Sequence, residues 1–143
     1  MSEALYTAIA TSTGDGRAGG RAVSSDGLID FTLAIPKEMG GPGGATNPEQ
    51  LFAAGWASCF HSSLKAVAAM QKITFTDSAV VAEISVLPTE AGGFSLSAAL
   101  HTEFAGIDQA TADSLVAAAH QMCPYSNATR GNIPVTIDAS VDA

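Results

Sequence analysis

The sequence predicts an α+β fold in which antiparallel sheets pack around a long, buried central helix. Short segments of alternating polar and apolar residues recur in pairs separated by turn residues, as in antiparallel hairpins. One longer segment is apolar or small on nearly every helical face, which indicates burial on all sides. The elements follow one another as β-β-β-α-β-β-α-β, an order typical of α+β proteins. With 143 residues, the chain is expected to form one domain spanning 1–143.

The N-terminal part predicts an antiparallel meander. Residues 4–12 alternate as a strand, and the glycine-rich segment 14–20 follows as a loop. Two further strands are expected at 21–25 and 28–35, joined by a turn at Asp26–Gly27. Pro36 ends the meander, and the sequence GGPGG at 40–44 is a flexible connection without the residues of a phosphate-binding loop.

The central helix has a clear start. Asn47 or Thr46 can cap it, Pro48 suits its first turn, and Glu49 lies at the positive end of the helix dipole. The helix is expected to continue to about Gln71. Its large and small apolar residues occupy nearly every face: Leu51, Phe52, Ala54, Trp56, Phe60, Leu64, Val67 and Met70.

The C-terminal part predicts a second hairpin, a helix and a last strand. The hairpin strands are expected at 79–87 and 94–104, and Asp108 caps a helix that continues towards Cys123. Because Pro124 disfavours a helical conformation in the residue before it, Cys123 is expected at a helix end or kink. Residues 134–141 alternate as the closing strand.

The charge and composition exclude several classes of partner. Six basic and fourteen acidic residues give a net charge of −8, with no basic cluster to neutralise nucleic acid or an anionic membrane. No signal peptide and no membrane-spanning run is evident, so a soluble cytoplasmic protein is expected. Hydrophobic residues make up 47% of the chain and charged residues 14%. So little polar surface predicts a homo-oligomer.

The two cysteines, Cys59 and Cys123, leave two interpretations open. On the residues alone, Cys59 is either inert core or a nucleophile, because an apolar setting raises a thiol pKa. A nucleophile would need a cation, a group that orients the cation, and a second thiol. Arg17 and Arg21 are possible cations and Glu49 a possible orienting group, although from the residues alone a solvated loop and a helix-dipole partner are the better explanations.

The histidines and the helix geometry constrain the kind of site. His61, His101 and His120 have no metal-ligand spacing with the cysteines, so no metal is expected. Glu49 and Cys59 are ten residues apart, which places them about 15 Å apart along one continuous helix. A guanidinium that contacts both is easier to arrange when Glu49 comes from a second copy, so a site shared across a dimer is predicted.

Two cysteine-centred motifs carry a family resemblance: NPEQLFAAGWASCF at 47–60 and HQMCPYSNATRGN at 120–132. With GRAVSSDG at 20–27 and the closing strand, they make nearly the whole chain similar to the organic hydroperoxide resistance proteins of the OsmC/Ohr superfamily. The resemblance implies an intertwined homodimer with two buried central helices and a site at the interface. It also implies resistance to oxidative stress through a peroxidase that reduces alkyl and fatty-acid hydroperoxides to alcohols.

The resemblance also implies the role of each site residue. Cys59 matches the peroxidatic cysteine, Cys123 the resolving cysteine and Glu49 the glutamate of the family. The family arginine best matches Arg17, with Arg21 as the alternative because the loop looks longer than usual. No bound cofactor is implied, and family members are similar in using dihydrolipoamide or lipoylated proteins as the dithiol reductant.

Two other functions use the same residues. A thiol redox sensor would form the Cys59–Cys123 disulfide once and change its binding instead of turning over. A ligand-binding module would bind a hydrophobic molecule at the apolar interface without peroxide chemistry. Sustained turnover with a dithiol distinguishes the enzyme from both.

Overall fold

The computed structural model of the chain describes residues 2–142 and has the predicted α+β architecture. Its backbone divides into two compact units, Met1–Leu51 and Phe52–Ala143. The single domain predicted for 1–143 therefore stays a prediction. None of the helices in residues 2–142 is both long enough and apolar enough to cross a bilayer.

The first unit contains the predicted antiparallel meander. Its strands are β1 (Ala10–Thr13), β2 (Arg21–Ser24) and β3 (Asp30–Thr32), arranged in the order β1-β2-β3. The turn between β2 and β3 is closed by the Asp26 carboxylate, which accepts hydrogen bonds from the Ser24 hydroxyl and the Leu28 N–H.

The first strand is shorter than the sequence predicts, since residues 4–9 lie outside it. The register pairs Ala10 with Ser24 and Thr13 with Arg21, so β1 pairs with all four residues of β2. Upstream of β1 the Ile9 carbonyl still accepts a hydrogen bond from the Ser25 N–H, but residues 4–9 belong to no strand. Their large side chains are exposed: Leu5 (105%), Tyr6 (79%) and Ile9 (60%).

Helix α1 spans Pro48–Met70 and ends within one residue of the predicted position. Asn47 caps it, because its side-chain oxygen accepts a hydrogen bond from the Gln50 N–H at 2.8 Å. Burial on all sides is not what the single chain shows. One face is buried (Trp56, Phe60, Ser63, Leu64, Val67 and Ala68), whereas small residues on another face are exposed (Ala54, Ser58, Ser62 and Ala66).

The second unit contains a three-stranded sheet with the helices α2 (Gln109–Met122) and α3 (Pro124–Thr129). The strands β4 (Asp77–Pro88) and β5 (Phe94–Ala105) form the predicted antiparallel hairpin. Asp108 caps α2 as expected, accepting a hydrogen bond from the Thr111 N–H at 2.8 Å.

The last strand corrects one detail of the predicted architecture. β6 (Val135–Val141) pairs with β5 in parallel, so this sheet is mixed and not purely antiparallel. The reason lies in the connection, because the chain between β5 and β6 crosses over through α2 and α3 and can therefore return in the same direction. A single hydrophobic cluster joins the buried faces of α1, β5 and α2.

Candidate active site

Arg17 lies in a tight turn that glycines make possible. It is the middle residue of the short 3-10 helix Gly16–Ala18, which ends at Gly19 with φ of 116°. At Gly20, a Cβ atom would lie 2.5 Å from the carbonyl oxygen of Thr13, so only glycine fits without a shift of the backbone. The glycine-rich loop at 14–20 is therefore a defined turn that presents one guanidinium.

The guanidinium of Arg17 binds the carboxylate of Glu49 through two parallel hydrogen bonds. Nη1 donates to Oε2 at 2.9 Å and Nη2 donates to Oε1 at 2.7 Å. The hydrogen bonds from Arg17 lower the pKa of Glu49 and outweigh its partial burial, and Glu49 in turn raises the pKa of Arg17. Both groups therefore stay ionised at neutral pH, and the bidentate geometry fixes the plane of the guanidinium.

Arg21 has a different partner. Its Nε and Nη2 atoms donate to the two carboxylate oxygens of Asp30 on the neighbouring strand, at 2.7 and 2.6 Å. Both side chains of this pair are largely exposed. Of the two candidate arginines, the structure therefore places Arg17, and not Arg21, on Glu49.

Cys123 lies at the break between α2 and α3, as Pro124 predicts. Its backbone is extended, with φ of −64° and ψ of 124°, and its side chain is fully buried. Arg130 fixes this corner, because its guanidinium donates to the carbonyl of His120 on α2 and to the side-chain oxygen of Asn127 on α3. The break thus holds a thiol in a defined position inside the unit.

Cys59, in the middle of α1, is half-buried and contacts the buried thiol of Cys123. Burial is the main cause that raises the pKa of Cys59, and the neighbouring Cys123 raises it further. One group acts in the opposite sense, because the nearby backbone N–H of Tyr125 lowers the pKa of Cys59. Both cysteines are free thiols.

The four predicted site residues therefore form two pairs. Arg17 binds Glu49 in the first unit, and Cys59 contacts Cys123 in the second. Two thiols in contact can form a disulfide when one of them is oxidised. The sequence did not point to Tyr125, although one signal was present: a residue just after the first-turn proline of a helix has an N–H without a partner inside that helix.

The histidines take part in other contacts. His61 Nε2 lies 2.8 Å from the Ser78 hydroxyl, and its burial lowers the pKa of His61. His101 lies on the sheet surface between the carboxylates of Glu83 and Asp138, at 2.8 Å from each, and both raise its pKa. Within residues 2–142, no group of three or more His, Cys, Asp or Glu side chains is arranged to hold a metal ion.

Comparison with known proteins identifies the family. A model of the OsmC-like proteins matches residues 41–138. The organic hydroperoxide resistance protein of Xanthomonas axonopodis pv. citri is 52% identical over 134 residues, which are 93% of each chain. OhrB of Bacillus subtilis is 45% identical over 138 residues, which cover 94% of this chain and 98% of the relative.

A solved structure agrees with these sequence matches. The crystal structure of an organic hydroperoxide resistance protein from Legionella pneumophila superposes with a TM-score of 0.93 at 50% identity. The match covers 97% of this chain and 100% of that one. The chain therefore belongs to the OsmC family, in the branch of the organic hydroperoxide resistance proteins.

Proposed function

We propose that the protein is a thiol-dependent peroxidase that reduces organic hydroperoxides to alcohols and so confers resistance to them. The observation that carries the proposal is the contact between the half-buried thiol of Cys59 and the buried thiol of Cys123. The names of the relatives from Xanthomonas axonopodis pv. citri and Bacillus subtilis support the same substrate class.

The proposed reaction has two steps on the protein. The thiolate of Cys59 attacks one peroxide oxygen, the O–O bond breaks, and the alcohol leaves with a proton while Cys59 becomes a sulfenic acid. The thiol of Cys123 then displaces water from the sulfenic acid and forms the Cys59–Cys123 disulfide. An external dithiol, which we propose to be dihydrolipoamide or a lipoylated protein in a reducing compartment, reopens this disulfide by exchange.

The first step requires a thiolate, and burial opposes it. We propose that the guanidinium of Arg17, oriented by Glu49, lies beside Cys59 in the assembled protein and lowers the pKa of that thiol. The bidentate contact with Glu49 supports this role, because it holds a permanent charge in one orientation. Arg21 is the poorer candidate, because Asp30 already binds its guanidinium through two hydrogen bonds.

We propose that the assembled protein is an intertwined homodimer. Two features of the single chain support it: the exposed apolar segment at residues 4–9 and the exposed face of small residues on α1. Burying both against a second copy would remove apolar area from water. Sedimentation equilibrium is expected to give twice the chain mass, and deletion of residues 2–9 to weaken association by at least about tenfold, through the loss of three buried side chains. A stable monomer at high concentration contradicts the dimer.

Turnover tests the proposed reaction. With dihydrolipoamide in excess, the protein is expected to consume many equivalents of cumene hydroperoxide per chain. An apolar site also favours alkyl hydroperoxides over hydrogen peroxide, because each methylene group of the substrate that is buried contributes up to about 0.8 kcal/mol to the binding free energy. Consumption of one equivalent per chain, whatever the dithiol concentration, would indicate a sensor and contradict the enzyme. Equal rates with hydrogen peroxide would contradict the substrate preference.

A further inference from the structure

Arg130, the residue directly after α3, supplies a hydrogen-bond donor at the corner that carries Cys123. In a continuous helix, the carbonyl of His120 would accept a hydrogen bond from the N–H of the residue four positions later. That residue is Pro124, which has no N–H. The guanidinium of Arg130 donates to this carbonyl instead. Arg130 therefore satisfies the carbonyl that the proline leaves without a helical partner.

The same guanidinium also binds α3. Its Nη1 atom donates to the side-chain oxygen of Asn127 at 2.8 Å, while its Nη2 atom makes the contact with His120 on α2. The backbone N–H of Arg130 donates to the carbonyl of Ser126 at 2.9 Å and closes the last turn of α3. One residue thus connects the two helices on either side of Cys123.

The corner depends on such a connection because α3 is short. It has six residues, and an isolated helix of that length is not stable in water. The positive charge of Arg130 also lies at the carbonyl end of α2, where a cation is favourable. Arg130 is exposed and lies outside the buried cluster that contains Cys123. Its loss is therefore expected to loosen the corner without emptying the core.

We propose that Arg130 is a positioning residue for disulfide formation: by joining α2 to α3 across the break, it holds the Cys123 thiol against Cys59. This inference rests on the proposed function, in which these two thiols form a disulfide. Arg130 acts through the backbone on both sides of Cys123 and does not touch the hydroperoxide. Two groups held in contact react as if each were highly concentrated around the other. A looser corner therefore makes the disulfide harder to form and easier to reduce.

The equilibrium between the two thiols and their disulfide in a glutathione buffer tests this inference without any hydroperoxide. One oxidised glutathione and the two protein thiols give one protein disulfide and two reduced glutathione molecules, and a maleimide tag on the remaining protein thiols measures the ratio. In Arg130→Ala, the equilibrium constant is expected to fall about tenfold, which makes the reduction potential about 30 mV less negative. A tenfold change is about 1.4 kcal/mol, which the loss of hydrogen bonds from a charged group can supply.

Arg21→Ala is the matched control. It also removes an exposed arginine that makes two side-chain hydrogen bonds, but in the other unit. Its equilibrium constant is expected to stay within about twofold of the wild-type value, as for an ordinary surface substitution. The constant also separates positioning from a merely structural role. A residue that only stabilised the fold would stabilise the dithiol and disulfide forms alike and leave the constant unchanged.

Two further variants show whether the bridge or the charge acts. Asn127→Ala removes one end of the bridge and is expected to lower the constant by about threefold, and it replaces Arg130→Ala should that variant fail to fold. Arg130→Lys keeps the charge without the planar fork and is expected to fall about as far. A wild-type constant in Arg130→Ala would overturn the inference, and so would a wild-type constant in Asn127→Ala or Arg130→Lys.

The two proposals fail separately. Wild-type protein that shows the expected glutathione equilibria, but no peroxidase turnover, would defeat the proposed function and leave the role of Arg130 intact. A working peroxidase whose thiol–disulfide equilibrium ignores Arg130→Ala would do the reverse.

Discussion

Replacing Cys59 with serine is expected to abolish hydroperoxide turnover, with a loss of at least about a thousandfold, because a hydroxyl cannot supply the nucleophile at neutral pH. Ser114→Ala, at an exposed position on α2, is the control and is expected to retain full activity. The rate of cumene hydroperoxide consumption with excess dihydrolipoamide measures both. Retained turnover in Cys59→Ser would show that the thiol does no chemistry.

Cys123→Ser sharpens the same experiment, because it separates the two steps. The variant keeps the reacting thiol, so it is expected to consume about one equivalent of hydroperoxide per chain and then stop. A sulfenic-acid trap such as dimedone is expected to label Cys59 in this variant, and to label wild-type protein much less. Full turnover in Cys123→Ser would mean that the reductant reacts with the sulfenic acid directly.

Replacing Arg17 with alanine is expected to lower kcat/KM at neutral pH by about a hundredfold, since loss of a cation beside a thiolate raises its pKa by one to three units. Arg21→Ala is the matched control and is expected to remain largely active, because Arg21 binds Asp30 at the surface of its sheet. Arg17→Lys should not restore the rate, since lysine cannot make the two-pronged contact with Glu49.

The pH dependence of kcat/KM gives a second test of the role of Arg17. Because Arg17 lowers the pKa of Glu49, their pair is complete at neutral pH and is lost only as the pH falls through that lowered value. In Arg17→Ala, the rising limb of kcat/KM is expected to shift to higher pH, because the Cys59 pKa is higher without the cation. A loss in Arg21→Ala with Arg17→Ala unaffected would reverse the assignment of the two arginines.

Local signals in the sequence predicted the helices and strands well, but they did not predict how distant strands pair. Asn47 before Pro48 fixed the start of α1, and Pro124 fixed the break at Cys123, because both act through the backbone of adjacent residues. The parallel direction of β6 depends on a crossover of the chain, which alternation of residues does not encode. The strand predicted at 4–12 was wrong for residues 4–9: after the hydrogen bond between the Ser25 N–H and the Ile9 carbonyl, the paired segment turns away at Asp26, which accepts hydrogen bonds from Ser24 and Leu28.

The candidate site shows the same division. Motif resemblance singled out Cys59, Cys123 and Glu49, and favoured Arg17 over Arg21. The structure adds the carboxylate that each arginine binds, Glu49 for Arg17 and Asp30 for Arg21, which spacing in the sequence does not encode. The effect of the Tyr125 N–H on the Cys59 pKa was missed, because the two residues are 66 positions apart and the group that acts is a backbone atom, which the sequence does not distinguish.

The exposed apolar side chains at residues 4–9 also bear on how the protein behaves in dilute solution. In the proposed homodimer a second copy would shield Leu5, Tyr6 and Ile9. Folding and association would then share one equilibrium, and the melting temperature is expected to fall with each dilution by mass action. Cells that express little of this protein would then hold it closer to its unfolding threshold than cells that express much. A higher concentration of the protein would thus increase its stability against unfolding.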